Sequence, residues 1–200
     1  MHRPSLVLVT ALLLAACVDT TGLSAESSNP PHPKSNPNAA VVVAEYADLQ
    51  CPACKGAHVG IVQPLVEKLG SQIRYEFHHF PLSSIHRNAL VAAQGAECAS
   101  DQGKFWDFID LAYERQEELS RTALTEWATE LKLDADLFDR CVDSGIKRDA
   151  VLAEYRDGQS KNVAGTPTFF VNGQAIQMNG DASSVEKAVQ AALDAMKAKL

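Results

Sequence analysis

The chain has 200 residues, 46% of them hydrophobic, with 18 Lys and Arg against 25 Asp and Glu for a formal charge of −7. That length and apolar content suffice for one domain with a real core, so disulfides are not needed merely to hold it together. The acidity is spread over helix faces and no basic cluster is present, which excludes the electrostatic footprint of a nucleic-acid partner.

The first element is a targeting segment. Arg3 gives a short positive start and Leu6 to Leu14 is apolar, a stretch of about ten residues that is too short to span a bilayer. Leu14-Ala15-Ala16-Cys17 resembles the lipobox of bacterial lipoproteins. That resemblance implies a signal peptide over residues 1–16, cleavage before Cys17 and lipidation of Cys17. The alternative is an ordinary signal peptide cut near Ser24-Ala25. Val18 after Cys17 resembles an outer-membrane sorting signal where the organism has two membranes. Residues 17–39 then read as a lipidated Cys and a disordered tether. They are rich in Pro, Ser, Thr and Asn, with almost no large apolar side chain to offset ordering entropy. Such a coil would span about 25 Å on average. No later segment is long or apolar enough to cross a membrane.

Residues 40–200 form the expected domain. Ala40–Tyr46 is nearly all apolar and β-branched in its middle, as in a strand buried on both faces. Cys51-Pro52-Ala53-Cys54 follows at the start of a helical pattern that runs to about Leu69. Pro52 suits a first turn, whereas Pro64 should kink the helix or split it. Ile73–His79 alternates like a strand. Helical spacing then recurs through Asn88–Ser100, Phe105–Ala112, Leu124–Leu131, Ala135–Asp143 and the stretch around Val151 and Tyr155. Thr168–Val171, the turn Asn172-Gly173 and Gln174–Met178 make a hairpin. Val185, Val189, Leu193 and Met196 mark a final amphipathic helix. The order β–α–β, helices, β–β–α gives an α/β sandwich with a helical insertion at about 84–162.

The cysteines carry the chemistry. A thiol at a helix N-terminus meets unpaired N–H groups and a positive dipole end, so the Cys51 thiolate should form near neutral pH. With Cys17 lipidated, four cysteines remain, and four allow three pairings. Proximity favours Cys51 with Cys54, leaving Cys98 with Cys141 as a structural staple; two free buried thiols are the alternative. Adjacent His78 and His79 point to opposite strand faces and make no natural ligand pair, so no metal site is expected. His58 and His86 read as helix-face residues, and Trp106 and Trp127 as packing residues.

The strand–CxxC–helix unit, the ββα end and Gly165-Thr166-Pro167-Thr168-Phe169-Phe170-Val171-Asn172-Gly173 together resemble the DsbA-like branch of the thioredoxin superfamily. Gln102-Gly103-Lys104-Phe105-Trp106 resembles that family's helical insert. The resemblance spans about residues 40–200 and implies a thioredoxin-like fold. By position, Cys51 is the exposed, attackable sulfur and Cys54 its buried partner. Pro167 is a cis proline against the cysteines, with the Thr166 backbone open to pair with a substrate peptide. Glu45, six residues before Cys51, matches an acid beneath the redox pair, with a raised pKa suited to moving a proton for Cys54. The implied activity is protein thiol–disulfide exchange without a cofactor. Its partners are Cys-containing unfolded or extended polypeptides and a redox partner in the membrane. Pro-Ala between the cysteines lacks the histidine that strong oxidants of the family often carry, so a reductase or isomerase stays open. So does a non-catalytic binding module or metal chaperone.

Overall fold

In the computed structural model, residues 18–26, 28 and 32–198 are described. The signal peptide and Cys17 lie outside them. The centre is a mixed five-stranded sheet in the order β1-β3-β2-β4-β5. Here β1 is Lys34–Ser35, β2 Val41–Ala47, β3 Ile73–His79, β4 Thr168–Val171 and β5 Gln174–Ala175. β2 and β3 are parallel; every other pairing is antiparallel. A parallel pair needs a crossover, and the CxxC segment supplies it. α1 (Pro52–Ala57), a π-helical turn (His58–Val62) and α2 (Gln63–Leu69) run between the two strands. The helical backbone continues through all three, so the expected break at Pro64 appears as the π-helical turn just before it, not as two separate helices.

β2 is the middle strand and its alternation decides what it carries. Val41, Val43, Glu45 and Ala47 share one face, and all are buried. Tyr46 faces the other way and joins a smaller cluster with Phe80, Val163 and Phe170. Between β3 and β4 come α3 (Ala89–Ser100), α4 (Phe105–Glu114), α5 (Arg121–Glu130), α6 (Ala135–Ser144) and α7 (Arg148–Ser160). Phe108, Trp127 and Phe138 fill the space among these helices with no exposed surface, each contributing about 1.5–3 kcal/mol by burial. A disulfide joins Cys98 on α3 to Cys141 on α6, with Cα atoms 5.9 Å apart. α7 approaches the sheet closely at Gly158, where an added Cβ would lie 2.7 Å from Phe80 Cδ2 and 2.8 Å from Tyr46 Cδ1. α8 (Ser183–Lys197) buries Val185, Val189 and Leu193 and completes the ββα end. The whole is the thioredoxin-like α/β fold with helices inserted between β3 and β4.

The disordered tether expected over residues 17–39 is corrected by the described part of that segment. Arg140 Nη1 donates to the carbonyls of Asp19 and Thr21 at 3.1 Å each. Lys147, 1% exposed, donates to the carbonyl of Glu26 at 2.5 Å and pairs with Asp101 at 2.6 Å. His32 is 4% exposed and stacks on Phe105 with ring centroids 3.4 Å apart. Lys34 and Ser35 then pair with β3 as an edge strand. The segment has few apolar side chains, but Leu23 packs against the core, cations of the helical insertion satisfy backbone carbonyls, and His32 docks on Phe105. Among the described residues, no helix is long and apolar enough to cross a membrane.

Candidate active site

β2 delivers the chain to the CxxC turn at its C-terminal end. Asp48, 1% exposed, organises that turn. Its Oδ1 accepts the N–H of Gln50 at 2.7 Å, and its Oδ2 accepts from Leu82 N and His86 Nδ1, both at 2.8 Å. Asp48 is therefore more than a turn residue, and His86 is its partner rather than a plain helix-face group. Gln116 Nε2 donates to the carbonyls of Leu49 at 2.8 Å and Cys51 at 3.0 Å, fixing the turn from the helical side. Cys51 has the extended backbone of an N-cap, and Pro52 opens α1.

The two thiols are free and stand in unlike surroundings. Cys54 is fully covered and Cys51 is 7% exposed, so the expectation of an exposed Cys51 is corrected: the sulfur is the more accessible of the two but mostly roofed over. The roof is the loop before β4. The Thr166–Pro167 peptide bond is cis, and Cys51 Sγ lies 3.5 Å from the Thr166 carbonyl oxygen. The Cys54 sulfur receives the N–H of Asp48 at 3.5 Å.

These surroundings drive the two thiols apart. A hydrogen bond from the Cys54 thiol, against the opposing cost of burial, brings Cys51 down to about 5, helped by the Thr166 hydroxyl and the backbone N–H groups of Cys54 and Ala53. The Cys54 thiol is the leading contributor, and the N–H groups of the helix N-terminus add to it. Cys54 is pushed far up, first by burial and then by donating to Cys51 and by the nearby Glu45 charge.

Glu45 lies on β2 facing this pair, 1% exposed. Tyr75 on β3 donates its hydroxyl to Glu45 Oε2, and Oε1 has no hydrogen-bond partner. Burial raises Glu45 to about 7, partly offset by the Tyr75 bond and reinforced by the Cys51 charge. Tyr113 adds a second buried hydroxyl without a hydrogen-bond partner, its titration raised by burial and then by the Cys54 and Glu45 charges. Cys51, Cys54, Thr166, Pro167 and Glu45 therefore meet in one place. Sequence reasoning missed Gln116, Tyr75 and Tyr113: Tyr75 reads only as one position of an alternating strand, and nothing local marks Gln116 or Tyr113 as facing the CxxC turn.

Two surfaces flank the sulfur. An open apolar groove is lined by Ala53, Gly60, Ile61, Pro167 and Met178. A second, more polar cleft runs along Thr166, Thr168, Phe170 and Ile176. Elsewhere, His58 is buried and pairs with Asp110 at 2.7 Å, so it is not a solvent-facing helix residue. His78 and His79 do part: His78 stacks on Tyr46, while His79 meets Glu97 at 3.1 Å. Cys98 and Cys141 are remote from this site in the helical insertion.

The chain matches the family described as Thioredoxin over residues 30–194. Among curated proteins it resembles the Na(+)/H(+) antiporter NhaA 1 of Salinispora arenicola, 41% identical over 145 residues, covering 72% of this chain and 22% of that protein. It also resembles the Na(+)/H(+) antiporter NhaA 1 of a Mycobacterium species, 32% identical over 164 residues, covering 80% of this chain and 26% of that protein. The chain thus spans about a quarter or less of these relatives. Among solved structures it superposes on oxidised BdbD from Bacillus subtilis with a TM-score of 0.76 and 20% identity, covering 83% of this chain and 94% of that one. MdbA, a thiol-disulfide oxidoreductase from Corynebacterium diphtheriae, gives a TM-score of 0.64 at 16% identity, covering 77% and 85%. At such identities the superpositions speak for the fold. With the matched residues running from before β1 into α8, this chain belongs to the thioredoxin family.

Proposed function

We propose that the protein is an extracytoplasmic thiol–disulfide oxidoreductase, held at a membrane through lipidated Cys17, that exchanges disulfides with Cys-containing polypeptides. The observation that carries this reading is the split between its two thiols. Cys51 is held near 5 under the Thr166 carbonyl, while its partner Cys54 is buried and held protonated. A structural pair of thiols has no need of that division; a nucleophile with a resolving partner does.

In the oxidising direction a substrate thiolate attacks Cys51 Sγ of the Cys51–Cys54 disulfide. The S–S bond breaks and its electron pair leaves on Cys54, which takes a proton from Glu45, the acid poised near 7. A second substrate thiolate then attacks the substrate sulfur of the mixed disulfide, and Cys51 departs as a stable thiolate. The substrate loses two electrons and the pair gains them. A membrane redox partner must accept those electrons to reset the enzyme. The Thr166 backbone and the apolar groove beside Pro167 suit an extended peptide bearing the reactive Cys. Contacts of residues 19–26 with the helical insertion support a short spacing between the domain and such an anchor.

Ala53 in place of a histidine keeps a reductase or isomerase as the second reading. Titrating Cys51/Cys54 against glutathione buffers separates them. A potential in the range of protein disulfide isomerase or above, about −180 mV or higher, is expected. A value near that of thioredoxin, about −270 mV, would overturn the oxidase assignment. Cys51→Ser should abolish exchange with a reduced, unfolded substrate; retained activity would instead identify a non-catalytic module.

A further inference from the structure

A buried cluster outside the redox site has the composition of a metal centre. His32 comes from the N-terminal segment, His79 from the end of β3 and Glu97 from α3. Their exposures are 4%, 1% and 1%. Both imidazoles address one carboxylate oxygen: Glu97 Oε1 is 2.5 Å from His32 Nε2 and 3.1 Å from His79 Nε2. The three donor atoms all lie within 4.8 Å of one another.

Hydrogen bonding alone leaves this cluster incomplete. Glu97 Oε2 is buried without a hydrogen-bond partner, and so is Oε1 of Glu154 on α7. Glu154 is a neighbour, since its other oxygen accepts the N–H of His79 at 2.5 Å. The orphaned Glu97 oxygen, on a carboxylate that two imidazoles address, is costly in a dry interior unless a cation answers it. We propose that His32, His79 and Glu97 bind a divalent transition-metal ion, with zinc the best fit, and that this ion pins the N-terminal segment to the sheet and the helical insertion.

The chemistry selects the ion. Two imidazoles and one carboxylate suit zinc and its transition-metal neighbours, whereas calcium and magnesium demand oxygen donors. Ligands about 2.0–2.1 Å from a tetrahedral ion stand about 3.3 Å apart. Glu97 and His79 are already close to that separation, and His32 needs to withdraw by less than an ångström. A metal-bound imidazole usually donates its other ring N–H to a fixed acceptor. His32 Nδ1 has one in Ser100 Oγ at 3.5 Å. Three protein ligands leave a fourth position for a water molecule. A surface cleft lined by His32, Pro33, Ser100 and Phe105 borders the His32 side of the cluster. His32 sits in the segment whose composition reads as disordered, so the centre would give that segment its reason to dock.

The experiment measures Zn(II) binding by competition with a chromophoric chelator, in a Cys51→Ser/Cys54→Ser background so that the redox thiols cannot contribute. The expected result is one equivalent bound tightly, a visible ligand-field band with Co(II), and no competition from excess Ca(II). His32→Ala should weaken binding at least 100-fold, and Glu97→Gln likewise. His78→Ala, on the opposite strand face, should leave it unchanged. His32→Ala touches no core strand, so it carries the test if Glu97→Gln fails to fold. Stoichiometric binding that survives His32→Ala, or its absence from the parent protein, would overturn the proposal.

Discussion

The Cys51 sulfur stands 3.5 Å from the carbonyl oxygen of Thr166, a residue 115 positions later in the chain. The sheet makes that meeting possible. β4 lies antiparallel beside β2, so the loop entering β4 arrives where β2 ends. The reactive thiol and the backbone that would receive a substrate peptide are thus products of one strand pairing. A change that shifts this register would separate them without touching either residue.

The lowered thiol has a measurable pH signature. In the reduced protein Cys51 falls from an ordinary 9.0 to about 5. The resulting stabilisation is complete above pH 9 and is lost as the pH drops through about 5. The oxidised protein has no such titration. The melting temperature of the reduced form, relative to the oxidised, should therefore rise between pH 5 and pH 9. Alkylation of Cys51 by iodoacetamide should show its midpoint at about pH 5. A midpoint near 9 would mean that the helix end and the Cys54 thiol do not stabilise the anion.

Glu45 predicts the opposite sign. Burial raises this carboxyl from 4.5 to about 7, so ionising it in the folded state is costly. The penalty is absent below pH 4.5, grows as the pH rises, and is complete above about 7. Glu45→Gln should then raise stability at pH 8 by something on the order of 2–4 kcal/mol while changing little at pH 4. The same variant should slow the exchange step in which Cys54 leaves, and should remove an inflection near pH 7 from the rate profile. Chemical denaturation at the two pH values and stopped-flow exchange check both halves. Equal stability change at both pH values would show that the carboxyl ionises freely.

The sequence carried most of what builds the frame and the redox pair. β2, β3, the CxxC turn and the ββα end follow from periodicity and from Gly, Pro and Asn placement, which are local signals. Glu45 was legible because an acid in an otherwise apolar strand has few other uses. The N-terminal segment misled for a physical reason: composition measures whether a segment can bury its own side chains, not whether another element will satisfy its backbone. Arg140 and Lys147 do so from more than a hundred residues away. Asp48, Gln116 and the partnership of His32 with Glu97 are likewise long-range pairings, and no spacing rule reports them.

Gly158 predicts a packing limit. Alanine is the better helix former by about 1 kcal/mol in a helix interior. On α7, however, a Cβ would meet Phe80 and Tyr46 ring carbons at 2.7 and 2.8 Å. Gly158→Ala should therefore destabilise the protein by about 1–3 kcal/mol, as overpacking outweighs propensity. A lowered denaturant midpoint with an unchanged slope is the expected reading. A gain in stability would mean that the aromatic pair can retreat at little cost.

The Cys98–Cys141 disulfide should matter to folding and not to exchange. It closes a separation of 43 residues between α3 and α6, within a helical layer already packed around Phe108, Trp127 and Phe138. Loop-closure entropy assigns it about 2–4 kcal/mol. Replacing both cysteines with serine should lower stability by that amount. The Cys51 thiol midpoint and the Cys51/Cys54 potential should not move, because the disulfide lies at the far end of α3 from its one hydrogen bond to the CxxC turn, Asn88 N–H to Gln50 Oε1. A shift in that potential would show that the helical layer is coupled to the redox site. Two contacts could carry such coupling: Asn88 at the head of α3, whose N–H donates to Gln50 Oε1, and Gln116, which joins the helical side to the carbonyls of Leu49 and Cys51. Gln116→Ala in the disulfide-free background would then test whether the coupling passes through that side chain.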